Sequence, residues 1–130
     1  MSASTLAWTA LRVAAAVLFF SHGAQKAFGW FGGMGPGGGT AHLMTLMGAA
    51  GVIEVVAATG IGIGLATRLL AFIASGEMAV AYFYSHVRGS HSLWWWENRG
   101  EVAILYCFIW LYFAAAGAGP ISVDRMRGKR

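Results

Sequence analysis

Cysteine occurs once, at Cys107. A lone thiol excludes an intramolecular disulfide, an internal dithiol relay and a disulfide-exchanging activity, and it leaves the compartment open. No Cys/His cluster has zinc spacing, so no metal site is expected. Charge is also scarce. Asp, Glu, Lys and Arg make up 11% of the 130 residues, against about 25% in soluble domains. The stretch 30–40, WFGGMGPGGGT, is rich in glycine but lacks a Gly-Lys-Ser/Thr ending and a preceding strand. It is therefore read as a flexible loop and not as a phosphate cradle. No serine–histidine–acid pattern and no flavin motif is evident. The N-terminal MSASTLAWTA carries no basic run, so a cleaved signal peptide is not expected.

What is present is apolar. Hydrophobic residues make up 58% of the chain and the mean hydropathy is +0.62. A soluble chain of this length could not hide so much apolar surface, because small chains bury a smaller fraction of it. The bilayer is the expected solvent. A spanning helix needs roughly 20 mostly apolar residues. Four stretches qualify, at about 5–28, 41–65, 68–87 and 99–118. The expected fold class is all-α: one domain over residues 1–130, a four-helix transmembrane bundle that is multi-pass in the plasma (inner) membrane.

Orientation follows from the basic residues. Net charge is +4, and four of the nine Lys and Arg are Arg125, Arg127, Lys129 and Arg130. This polar tail suits a cytoplasmic flank and not a nucleic-acid patch. The C-terminus is then cytoplasmic, and four spans place the N-terminus there too. Arg68 falls in the inner turn. The glycine loop and the loop 88–98 (RGSHSLWWWEN) face outward, with Trp94, Trp95 and Trp96 at the interface. In span two, Gly48, Gly51, Gly60 and Gly64 let neighbouring helices approach closely, and Gly60–Gly64 has small-xxx-small spacing.

Ionisable groups inside such spans are costly and face a partner or a cavity. Three stand out: Arg12, Glu54 and Glu77. Counted from the inner ends of their spans they lie at roughly 10, 16 and 12–14 Å, so a single layer of the bundle is expected to hold all three. Their charges sum to −1. The cluster reads either as a structural ion pair with a protonated neighbour or as a proton or quinone site.

A second group lies at the outer ends. His22, Gln25 and Lys26 are spaced i, i+3, i+4 and share one helical face. Tyr82 and His86 are four apart near the outer end of span three. Glu97, Arg99 and Glu101 open span four. Snorkelling explains Lys26 and interfacial anchoring explains Trp30, while His22 lies a full turn deeper. Its plainest role is a hydrogen bond to a neighbouring helix. Ligation of metal or haem by His22 and His86 is a weaker reading. Cys107 reads as a small packing residue.

Taken in order, these pieces resemble the DoxX family of small four-helix membrane proteins. They are R…FFSHGAQKAFGWFGG from Arg12, GVIEVVAATGIGIGLATRLLA around Glu54, EMAVAYFYSHV ending on His86 and Val87, and ENRGEVAILYCFIWLYFAAAGAGPISVD from Glu97. The family more usually has a small residue where this chain has Arg99. The resemblance implies a four-helix bundle and an association with redox chemistry. Some relatives look like the membrane subunit of thiosulfate:quinone oxidoreductase, and others are linked with oxidative-stress complexes or with maturation of partner proteins. It also implies Arg12, His22, Gln25, Lys26, Glu54, His86 and Glu101 as site positions.

The expected function is thus an integral membrane subunit of a quinone-linked oxidoreductase or oxidative-stress complex. Candidate ligand-binding residues are Arg12, His22, Gln25, Lys26, Glu54, Glu77, His86 and Glu101, with no catalytic residue assigned. Quinone is the one cofactor suggested. Electrons would come from a partner protein carrying the redox centre. Membrane lipid is the other partner, a homo-oligomer is left open, and no nucleic acid is expected. The alternative is a non-enzymatic membrane chaperone or scaffold using the tryptophan loop. A small-solute carrier is a third reading.

Overall fold

The structure is a computed structural model that describes residues 1–129. Arg130, counted above in the basic tail, lies outside the described residues. It is all-helical, with no strand among the described residues. Ser2 opens the first helix by accepting from the Thr5 amide at 3.2 Å, as a serine N-cap does. That helix, α1, runs Ala3–Phe28 and ends on Gly29 in the left-handed region (φ 70°). Thr45 caps α2 (Leu46–Ile63), accepting from the Gly48 amide at 3.1 Å. The apolar stretch from residue 41 therefore enters its helix only at Leu46: residues 42–45 form a turn whose His42 carbonyl accepts from the Thr45 amide at 3.0 Å.

A short turn leads into α3 (Thr67–Ala81). This helix passes into a π turn, Tyr82–Val87, and closes with a last α-helical turn at Arg88–Ser90. A π turn inserts one residue into the helical ladder and is common at functional sites. Nothing in the hydrophobic period signals it. A single turn, α4 (Trp95–Asn98), precedes α5 (Glu101–Ala116), and another, α6 (Val123–Met126), follows it.

The long helices alternate in direction, and their contacts fix the layers. Gly23 of α1 lies against Glu54 and Val55 of α2, while Ala16 lies by Gly62. On the other side, α1 packs on α5 through Phe19 against Tyr106 and Trp110, at ring distances of 5.1 and 5.2 Å. Between α3 and α5, the Ser75 hydroxyl donates to the Cys107 carbonyl at 2.7 Å. Phe19, Ile61, Trp110 and Phe113 fill the centre, wedged between small residues such as Ala16, Ala57, Ala71 and Ala74.

The outside is inverted relative to a water-soluble bundle. Val17, Val56, Phe72 and Phe108 are 54–66% exposed, one on each long helix. Such a continuous apolar face is what lipid covers. Two helices, α1 and α2, are long and apolar enough to cross a membrane; α5 is apolar and shorter.

One end of the bundle is tied by the chain's last residues. The Asp124 carboxylate accepts from the amides of Ala66 and Thr67, each at 2.9 Å. Burial pushes the Asp124 carboxyl up, but those two backbone donors outweigh it and hold it below the usual carboxylate range. Arg68 donates to the Ala114 and Ala115 carbonyls at the end of α5, where cations are favoured. Trp8 donates to the Gly117 carbonyl at 3.3 Å.

Candidate functional site

The site begins with two glycines. A Cβ on Gly23 would lie 2.7 Å from the Glu54 Cβ and 2.8 Å from the Val55 nitrogen; one on Gly51 would lie 2.9 Å from the Lys26 Cβ. No side chain fits in either place, so α1 and α2 meet backbone to backbone, as small residues allow in membranes. Gly51 was legible in the sequence as a packing glycine. Gly60 meets the Leu70 side chain instead, and Gly64 is the left-handed cap of α2 (φ 75°).

This close approach brings Lys26 onto Glu54. The ammonium nitrogen lies 2.6 Å from Oε2 and 2.9 Å from Oε1. The Glu54 side chain is 2% exposed and that of Lys26 18%. Glu77 of α3 stands beside Glu54, and its Oε2 is buried with no hydrogen-bond partner. One cation faces two carboxyl groups, so the layer is electroneutral when it carries one proton.

Glu54 and Glu77 therefore do share a layer, but Arg12 is not in it. The expectation assumed that all spans start in one plane. In the structure Ala16 of α1 lies by Gly62 at the end of α2, so α1 begins about three turns beyond that end, which puts Arg12 level with the turn between α2 and α3. Its guanidinium donates to the Ala118 carbonyl and, at 2.8 Å, to the Ile121 carbonyl. It pins the segment after α5. Lys26, read from sequence as an interfacial lysine, takes its place in the layer.

An apolar cavity of about 910 Å³ opens over this layer, between α1, α2, α3 and α5. His22, Lys26, Glu54, Glu77, His86 and Arg99 supply charge or imidazole to its lining, among Phe19, Ile53, Met78 and Val102. His22 lies on the open side and meets the Tyr106 ring edge-on at 6.0 Å. His86 comes from the π turn, and its Nδ1 lies 3.1 Å from the Asn98 carbonyl oxygen. Besides Arg12, two more predicted residues fall outside the cavity. Gln25 donates to the Phe31 carbonyl at 3.2 Å and ties down the glycine loop. Glu101 sits exposed in the first turn of α5.

Tyr106 and Arg99 line the cavity and were not among the predicted site residues. Tyr106 is buried, yet its hydroxyl makes no hydrogen bond among the described residues. Its signal was a hydroxyl in an otherwise apolar span, four residues before Trp110. Arg99 is in the left-handed region (φ 59°), a backbone state uncommon for residues other than glycine.

The cavity has the size and composition of a small-molecule pocket, mostly apolar with a few convergent polar groups. No group of three or more potential metal ligands occurs among the described residues.

Comparison with a family model takes in the first three of the sequence pieces quoted above, and the piece from Glu97 lies beyond it. Residues 7–87 match the family described as DoxX. A protein of Haemophilus influenzae described as uncharacterized is 42% identical over 115 residues, covering 88% of this chain and 85% of the relative. No solved structure matches.

Proposed function

This chain belongs to the DoxX family, and we propose that it is the integral membrane subunit of a quinone-linked oxidoreductase or oxidative-stress complex, holding a quinone in the cavity above Lys26, Glu54 and Glu77. All four long helices cross the plasma membrane in this reading. At 1.5 Å per residue, α5 covers roughly 24 Å, and the segment after it carries the chain to the interface. The basic residues of the tail support cytoplasmic termini, with the cavity then in the outer half of the bilayer.

The observation that carries the reading is the partnered charge layer under an apolar, lipid-facing cavity. A quinone needs donors to its carbonyls and a nearby proton source. Lys26 and the Tyr106 hydroxyl are placed as donors, and the layer carries one proton between two carboxyl groups. Apolar walls and an open side suit a ring on an isoprenoid tail. Electrons come from a partner protein, since the chain has neither a flavin motif nor a dithiol. Arg12, Gln25 and Glu101, which do not line the cavity, are left out of the binding set.

The scaffold reading rests on a different observation, the exposed Trp94–Trp96 stack (ring distance 5.0 Å). Interfacial lipid anchoring accounts for those rings equally well.

Mass spectrometry of lipid-soluble molecules in gently purified protein tests the proposal. Quinone is expected in the wild type and lost in His22→Ala or Glu54→Gln. Its absence from every folded sample defeats the quinone site and favours the scaffold.

A further inference from the structure

His86 stands out because its hydrogen bonding is already half decided. Its Nδ1 faces the Asn98 carbonyl oxygen at 3.1 Å. A carbonyl only accepts, so Nδ1 carries the proton. In the neutral imidazole Nε2 is then an acceptor. No described residue bonds to Nε2, and His86 lines the cavity.

The carbonyl that sets this tautomer is itself held. Asn98 is buried, and its amide group donates to the Tyr82 hydroxyl and to the Ser92 carbonyl, each at 3.1 Å. Its Oδ1 accepts from the Gly100 amide at 2.8 Å. Gly100 lies flat on the Tyr82 ring, where a Cβ would come within 2.6 Å of the ring carbons. Tyr82 begins the π turn that carries His86. One knot therefore fixes both the imidazole and the carbonyl that orients it. Asn98 is a positioning residue.

Of the other polar groups lining the cavity, the Lys26 ammonium and the Arg99 guanidinium can only donate, the two carboxyl groups form the charge layer, and His22 and the hydroxyls of Thr45, Tyr84, Ser85 and Tyr106 can donate or accept. His86 offers an acceptor apart from the carboxyl layer. An oxidised quinone has two carbonyl acceptors and nothing to donate, so it leaves this nitrogen unpaired. A quinol donates from both hydroxyls.

We propose that His86, held as the Nδ1–H tautomer by the Asn98 carbonyl, accepts a hydrogen bond from a hydroxyl of the ligand through Nε2, so that the cavity binds the quinol form in preference to the quinone. This rests on the quinone reading above and adds which redox form the site selects. The preference equals about one neutral hydrogen bond, roughly tenfold in Kd.

The test uses the full chain in lipid nanodiscs, kept anaerobic, with a decyl-substituted benzoquinone and its reduced quinol. Intrinsic tryptophan quenching gives the two affinities for wild type, His86→Phe and His86→Gln. The quinol is expected to bind about tenfold more tightly to wild type. His86→Phe brings the ratio near one by weakening the quinol more than the quinone. His86→Gln, whose amide oxygen still accepts, keeps part of the preference. Equal affinities in wild type, or a ratio untouched by His86→Phe, overturn the assignment and leave the quinone site standing. Failure of wild type to bind either form defeats both. Nitrogen NMR of labelled histidine in wild type needs no variant to fold: a proton found on Nε2 of neutral His86 overturns the assignment.

Discussion

Replacing Lys26 by methionine asks whether the charge layer is coupled as its geometry requires. The ammonium reaches both Glu54 oxygens at 2.6 and 2.9 Å, and Glu54 is almost wholly out of solvent. At a separation near 2.8 Å and an effective dielectric of about 20, the attraction is on the order of 6 kcal/mol. Most of that offsets the desolvation of the two groups, so the pair's net contribution to stability is small. Breaking it is another matter. Lys26→Met leaves a carboxylate beside Glu77 with no cation, which costs about 3–5 kcal/mol. Glu54→Gln leaves the partly exposed lysine able to turn outward, and costs about 1–2 kcal/mol. The double variant removes both charges together, so it loses less than Lys26→Met alone. Reversible unfolding of the four forms in mixed micelles, followed by tryptophan fluorescence, measures the cycle. The reasoning is refuted if the two single losses simply add, because additive losses mean the charges do not sense one another.

Three other outcomes follow from separate parts of the structure. Gly23→Ala should destabilise by about 1–3 kcal/mol through overpacking against Glu54 and Val55, whereas Gly76→Ala, with open space around it, should be neutral or gain up to about 1 kcal/mol in the same unfolding assay. Arg12→Gln should loosen residues 117–122, seen as faster hydrogen exchange there, without changing ligand affinity, because Arg12 bonds to Ala118 and Ile121 and not to the cavity; a loss of ligand would contradict that placement. Asp124, with its folded value depressed by the Ala66 and Thr67 amides, stabilises the inner turn above the ordinary carboxylate range, and that contribution is lost as pH falls through the folded value. Exchange protection of those two amides should drop in acid and be low at every pH in Asp124→Asn.

The helices were legible because each span is a long apolar run with caps or glycines at its ends. The paired glutamates were legible because carboxylates in apolar helices are rare. Which cation meets them was not. That depends on the relative heights of the helices, and height is set by where Gly23 and Gly51 let α1 and α2 touch. Counting residues from each span's start placed Arg12 in the layer, whereas the overhang of α1 places Lys26 there. The π turn was equally hidden. Its first residue is tied by tertiary bonds: the Tyr82 hydroxyl donates to the Leu93 carbonyl and accepts from the Asn98 amide, and both partners lie in the segment that follows. A periodicity of apolar residues carries no trace of such a bond.

The same placement separates two kinds of buried charge in this chain. Arg12 is satisfied by backbone carbonyls and closes one end of the bundle. Two carboxyl groups and one lysine at the other end leave a carboxyl oxygen without a partner, beside open volume. An apolar pair of similar size would serve packing there at no loss, since buried ion pairs are commonly replaceable without cost to stability. A polar layer facing a cavity is what the proposal of ligand binding rests on. The Lys26→Met/Glu54→Leu double variant decides the matter. A protein that folds as stably as wild type and no longer retains quinone assigns the layer to binding. One that folds as stably and retains it shows that the charges are not needed there.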